Sequence, residues 1–103
     1  MIKHISSIEQ FEEEIKGSLV LVDFYATWCG PCSMLAPIIE ELDKEMDIKI
    51  LKVDVDELGD LASKYRIMSI PTLYLFKEGK LVNVEMGYMP LNHLKEFVLG
   101  KNK

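Results

Sequence analysis

The sequence is poor in basic residues, in cysteine and in long apolar runs, and each shortage removes a class of function. It has one arginine, Arg66, and its 12 Lys+Arg against 17 Asp+Glu leave a formal net charge of -5 over 103 residues. No basic stripe can form that would neutralise successive phosphates of a nucleic acid or the head groups of an anionic bilayer, so neither is expected as a partner. The run Leu19–Val22 is cut by Asp23 far short of membrane-spanning length. The opening Met1-Ile-Lys-His-Ile5 leads into a charged helical pattern without the apolar core of a signal peptide, so a soluble, cytoplasmic monomer is expected. Two cysteines are too few for a small secreted scaffold stapled by several bridges. Their spacing, Cys29-Gly-Pro-Cys32, points to redox or metal chemistry instead.

What is present suits one globular domain over residues 1–103. The chain is 49% hydrophobic and 28% charged, far from disordered compositions. A chain of this length buries roughly two-thirds of its extended surface. Ile2–Ile5 reads as a short strand, and Ser7-x-x-Gln10 as a capping box opening a helix to about Lys16, with Ile8, Phe11 and Ile15 inward and Glu12–Glu14 as solvated surface. Leu19–Tyr25 is an almost unbroken apolar run of strand length, as a central strand covered on both faces requires, and Asp23 is its one discordant residue. Met34, Leu35, Ile38, Ile39, Leu42 and Met46 recur at helical spacing, consistent with core packing, through a segment that Pro37 should bend. Ile48–Asp54 reads as a second central strand, and Leu58, Leu61, Ala62 and Tyr65 as the inner side of a short helix. Thr72–Lys77 and Leu81–Met86 flank Glu78-Gly79-Lys80 as an antiparallel hairpin, Leu91, Leu94, Phe97 and Val98 mark a closing helix ended by Gly100, and Lys101–Lys103 is a polar tail. The alternation of strands and helices implies a parallel crossover, and the hairpin makes the sheet mixed.

The chemistry is expected where the central strand hands into the long helix, at Trp28-Cys-Gly-Pro-Cys32. A cysteine at a helix N-terminus has its thiolate favoured by unpaired backbone N–H groups and by the helix dipole, which suits Cys29 as nucleophile. Cys32, within the first turn, is placed to attack a mixed disulfide formed at Cys29 and release the partner. Pro31 fits the first turn, where its missing N–H has no helical partner, and Gly30 is read as allowing a tight turn. No cation lies between the cysteines, which favours reducing other disulfides over introducing them. A metal site would need further ligands, and with no other cysteine and with His4 and His93 distant, both histidines are read as surface residues. The stretch Asp54-x-Asp56-x-Leu58-Gly59 lacks the oxygen ligand at Leu58 and the closing glutamate at Tyr65 that a calcium loop requires. Asp23 has two readings, a surface carboxylate on a poorly covered edge or a buried one with a raised pKa.

Asp23, Trp28-Cys29-Gly30-Pro31-Cys32, Pro37, Ile70-Pro71-Thr72, Phe76, Gly79 and Gly87, in this order and spacing, closely resemble the thioredoxin family. The resemblance implies an α/β fold with a central mixed sheet of four or five strands flanked by about four helices. It implies Cys29 exposed and Cys32 shielded behind it, joined in a redox disulfide, and a cis bond before Pro71. It favours the buried reading of Asp23 as proton acceptor for Cys32 through water, with Lys52 beside it. Trp28, Ile70, Pro71, Gly87 and Tyr88 would form an apolar collar for disulfide-bearing client segments. The implied activity is protein-disulfide reduction with no bound cofactor, electrons coming from NADPH through thioredoxin reductase. Implied clients are peroxiredoxins, methionine sulfoxide reductases and ribonucleotide reductase. The alternatives are a binding module or chaperone subunit of the same fold acting independently of redox state, or a disulfide oxidase or isomerase. Ser33 stands where many members carry Lys or Arg, Met68-Ser69 where Arg or Val and Gly are usual, and Tyr25 where many have tryptophan.

Overall fold

The computed structural model describes residues 1–100, so the polar segment Lys101–Lys103 lies outside the described residues. β1 (Ile2–His4) is followed by α1 (Ile8–Glu14), β2 (Val20–Tyr25), α2 (Gly30–Glu45), β3 (Lys49–Asp54), α3 (Gly59–Lys64), β4 (Thr72–Lys77), β5 (Lys80–Met86) and α4 (Leu91–Leu99). The five strands form one sheet in the order β1-β3-β2-β4-β5. β1 and β2 both run parallel to β3, while β4 is antiparallel to β2 and to β5. The mixed five-stranded sheet with four helices is the architecture that the resemblance implied.

β2 is the central strand, and residues Val20 to Phe24 are all buried. Leu21 faces a cluster built from Leu35, Ile39 and Leu42 of α2 and Leu94, Phe97 and Val98 of α4. Val20, Val22 and Phe24 face the other way, onto Phe11 of α1 and Leu61 of α3. Residues alternate across a strand, so Asp23 shares the α2 face with Leu21. Among the described residues, no helix is long and apolar enough to cross a membrane.

Several local expectations shift. α1 ends at Glu14, with Ile15 as its C-cap. Its N-cap Ser7 accepts the Gln10 backbone N–H at 3.0 Å, but the Gln10 side-chain oxygen accepts from Ser6 N–H, at 2.7 Å, so the reciprocal arm of the box is displaced by one residue. Glu14 is more than solvated surface, because its carboxylate binds Lys3 at 2.9 Å and Lys49 at 2.8 Å. α2 begins at Gly30, a turn before the apolar pattern, and carries Pro37 inside it. Met34 is 61% exposed and not core. Adjacent helix residues point about 100° apart, and Leu35 takes the inward direction. The hairpin loop has two residues rather than three: Lys77 pairs with Lys80, and Glu78 and Gly79 take φ of 53 and 82°, as a primed two-residue turn demands.

Candidate active site

The C-terminal end of β2 leads into α2 through Ala26-Thr27-Trp28, and Cys29 is the N-cap of that helix, with extended backbone (φ -86°, ψ 117°). Its Sγ accepts the Cys32 N–H at 3.2 Å, the place a capping serine or aspartate oxygen would occupy. A negative charge on this sulfur would be held by the same N–H and by the positive end of the helix dipole. Cys29 and Cys32 are joined in a disulfide, their Cα atoms 5.2 Å apart. Pro31 lies in the first turn of α2. A Cβ at Gly30 would meet nothing within 4 Å, and its φ lies outside the left-handed region, so the tight-turn reason for a glycine there does not hold.

The expected contrast between an exposed Cys29 and a shielded Cys32 is absent, since they are 5% and 4% exposed. Ala26, Tyr25, Val55 and Ile70 pack against the pair, and one cover serves two bonded sulfurs. The Ile70–Pro71 bond is cis, and the Ile70 carbonyl oxygen lies 3.8 Å from Cys29 Sγ. In the disulfide this is a contact without a proton between them, because the bonded sulfur carries none. Thr72 Oγ1–H donates to the Ser69 carbonyl at 2.6 Å and Gly87 N–H to the Pro71 carbonyl at 2.8 Å, which tie both sides of the proline. Gly87 adopts φ +93°, a conformation that side chains disfavour, and it is followed by the exposed Tyr88.

Trp28 is 71% exposed, and its indole N–H donates to Asp56 Oδ2 at 2.7 Å. Sequence reasoning missed Asp56. Asp54 Oδ1 accepts the N–H groups of Asp56 and Glu57 at 2.9 and 3.4 Å, a turn that presents Asp56 to the ring. The acidic stretch that fails as a calcium loop therefore has structural work. Among the described residues, no group of three His, Cys, Asp or Glu is placed to hold a metal ion. A groove of about 200 Å³ lies beside Trp28 and is lined by Val55, Ile67, Met68, Ser69 and Ile70.

Asp23 and Lys52 are register partners on β2 and β3, and Lys52 Nζ donates to Asp23 Oδ2 at 2.7 Å. Asp23 is 1% exposed and Lys52 9%. Burial pushes the Asp23 carboxyl above its ordinary value, and Lys52 offsets part of that rise. Its Oδ1 has no hydrogen-bond partner among the described protein groups. Lys52 also stands 4.5 Å from the centre of the Tyr25 ring. A cavity of about 330 Å³ lined by Lys52, Tyr25, Ser33 and Cys32 lies on this side of the sheet, with the exposed His4 at its edge. The other histidine, His93, pairs with Glu85 on the far edge strand.

The family model described as "Thioredoxin" matches residues 3–100. The chain is 49% identical over 92 residues to the thioredoxin of Bacillus subtilis (strain 168), covering 87% of this chain and 88% of that one. Its structure superposes with a TM-score of 0.90 on a mutant thioredoxin from Halobacterium salinarum NRC-1, at 35% identity over 99% of this chain and 91% of that one. At a TM-score of 0.83 and 33% identity, over 93% and 92% of the two chains, it also matches a structure described as the basis of the thiol resolving mechanism in yeast mitochondrial 1-Cys peroxiredoxin via glutathione/thioredoxin systems.

Proposed function

The chain belongs to the thioredoxin family and is a thiol–disulfide oxidoreductase with protein-disulfide reductase activity, and from this premise we propose that Cys29 attacks client disulfides and Cys32 resolves the intermediate. In the reduced protein the Cys29 thiolate attacks one client sulfur, and the other client sulfur leaves as a thiolate that takes up a proton. Cys32 then loses its proton to Asp23 through an intervening water and attacks Cys29 Sγ. The client leaves as a dithiol, the chain is left with the Cys29–Cys32 bond, and two electrons have passed to the client. The observation that carries this reading is the disulfide itself, set on the N-terminus of α2 with the Cys32 N–H on Cys29 Sγ.

Asp23 suits the acceptor role because burial raises its carboxyl above the ordinary value, while Lys52 keeps the anion tolerable once the proton is lost. Trp28, Ile70, Pro71, Gly87 and Tyr88 receive an extended client segment, whose backbone pairs with Ile70 beside the sulfurs. Gly30 and Pro31 complete the redox turn. The oxidised chain, 1–103 as one domain, is recharged in the cytoplasm by thioredoxin reductase with electrons from NADPH, and it works as a monomer. Peroxiredoxins, methionine sulfoxide reductases and ribonucleotide reductase fit as clients, since each ends turnover with an oxidised thiol.

Insulin reduction with dithiothreitol as electron source tests the reading on wild type, Cys29→Ser and Cys32→Ser. Both variants are expected to lose turnover, and Cys32→Ser is expected to accumulate a mixed disulfide on Cys29. A Cys29→Ser protein that still reduces insulin at the wild-type rate overturns the assignment.

A further inference from the structure

The methionines are distributed unevenly. Met89 is 3% exposed, whereas Met1, Met34, Met68 and Met86 are 64, 61, 91 and 63% exposed. Met1 lies at the end of the sheet away from the cysteines, its amino group bonded to Asp43 and to the Ile48 carbonyl just before β3. Met68 and Met86, by contrast, flank the segment that carries cis Pro71. Met68 lines the groove with Trp28 and Ile70. Met86 pairs with Thr72, precedes Gly87, and accepts the Ser69 hydroxyl on its sulfur at 3.1 Å. Ser69 therefore links the two: it is the chain neighbour of Met68 and the hydrogen-bond partner of Met86.

We propose that Met68 and Met86 form an oxidisable rim of the docking groove, whose conversion to sulfoxide by a peroxide weakens client docking while leaving the Cys29–Cys32 exchange intact. The proposal rests on the reductase reading above. A thioether is apolar, unbranched and polarisable, which lets one rim fit clients of different shape. Oxidation makes the same side chain polar and chiral. In the balanced step the thioether sulfur attacks a peroxide oxygen and the O–O bond breaks. The sulfur gains that oxygen and gives up two electrons, and the other oxygen leaves as water. Covering the new S–O group with a client then costs its hydration. At Met86 the acceptor for the Ser69 hydroxyl changes from sulfur to oxygen, in the segment whose Ile70 carbonyl faces Cys29. The resolving step at Cys32 is untouched, so kcat is expected to hold and the effect falls on KM.

The test treats the disulfide form of the full chain with hydrogen peroxide, which finds the cysteine sulfurs already bonded to each other. The peroxide is removed, oxidised methionines are mapped by peptide mass spectrometry, and insulin reduction is measured. We expect sulfoxide at the exposed Met68, Met86, Met1 and Met34, with Met89 spared. We expect kcat/KM to fall about fivefold through KM, with recovery after treatment by methionine sulfoxide reductases. A Met68→Leu/Met86→Leu protein, compared only with its own untreated sample, should lose nothing, although its Met1 and Met34 are still oxidised. The proposal is overturned if the double variant loses the same factor, if wild type keeps its KM with both sulfoxides formed, or if either methionine resists peroxide. An untreated wild type that fails to reduce insulin overturns the reductase reading, and this proposal with it.

Discussion

Under α1 and α3 the sheet is covered by rings, Phe11, Phe24, Tyr65, Tyr74 and Phe76, whose centroids lie 5.0–6.3 Å apart, whereas under α2 and α4 it is covered mainly by aliphatic side chains and carries Asp23 and Lys52 among them. The aromatic face has its polar tip satisfied, the Tyr74 hydroxyl donating to the Tyr65 carbonyl at 3.0 Å. The α2 face keeps a carboxylate oxygen with no hydrogen-bond partner among the described residues and opens into a cavity that reaches Cys32. Burying a charged pair costs desolvation that apolar packing would not, so the α2 face gives up stability that the aromatic face does not. Both sides of β2 carry a buried apolar core, but the difference assigns the chemistry to the α2 side alone.

The strongest attack on this division is Phe11→Ala, which removes a ring 0% exposed that contacts Phe24, Tyr65 and Phe76. Urea unfolding should show a loss of about 3–5 kcal/mol, with insulin reduction per folded molecule unchanged. A stable variant with slowed reduction would erase the division.

A subtler comparison uses pH. Asp23 is held above its ordinary 3.8 mainly by burial. The folded state therefore binds more protons than the unfolded one between these values, so the stability linked to Asp23 is full below 3.8 and is lost as pH rises through the raised value. Urea melts across that range should show the stability difference between Asp23→Asn and wild type moving toward the variant as pH rises. A difference constant with pH would mean that the carboxyl is not strained by burial. The smallest effect is expected for Ser7→Ala, which removes the cap of α1 on the aromatic side and should cost about 1 kcal/mol. It should leave the kinetics of thiol exchange untouched, and any slowing there would show that the two faces are coupled.

Local pattern carries the architecture well. β2 is readable because a strand covered on both faces has to be apolar throughout, and Asp23 stands out for the same reason. The strand-to-helix junction at Cys29 follows from that strand meeting the proline of a first turn. What escapes depends on partners distant in sequence. Asp56 belongs to Trp28 only because β3 lies beside β2 and the Asp54 turn aims it, a relation of 28 positions that no periodicity displays. Lys52 is indicated by resemblance alone, since the register that sets it opposite Asp23 is fixed by strand pairing. Met34 is wrongly placed inward by its spacing, because a helical pattern tolerates either neighbour on the apolar side until packing chooses Leu35. The shared burial of the two cysteines cannot be read at all, because it comes from Ile70 and Val55, which other strands and loops bring to the site.

The division between the faces stands or falls on Asp23 serving Cys32. The direct measurement is the rate at which a preformed mixed disulfide on Cys29 is resolved, followed across pH in wild type and Asp23→Asn. The account predicts about tenfold or slower resolution in the variant near neutral pH, with the gap closing at high pH, where Cys32 ionises without help. Superimposable profiles would contradict it and return Asp23 to a purely structural place in the sheet.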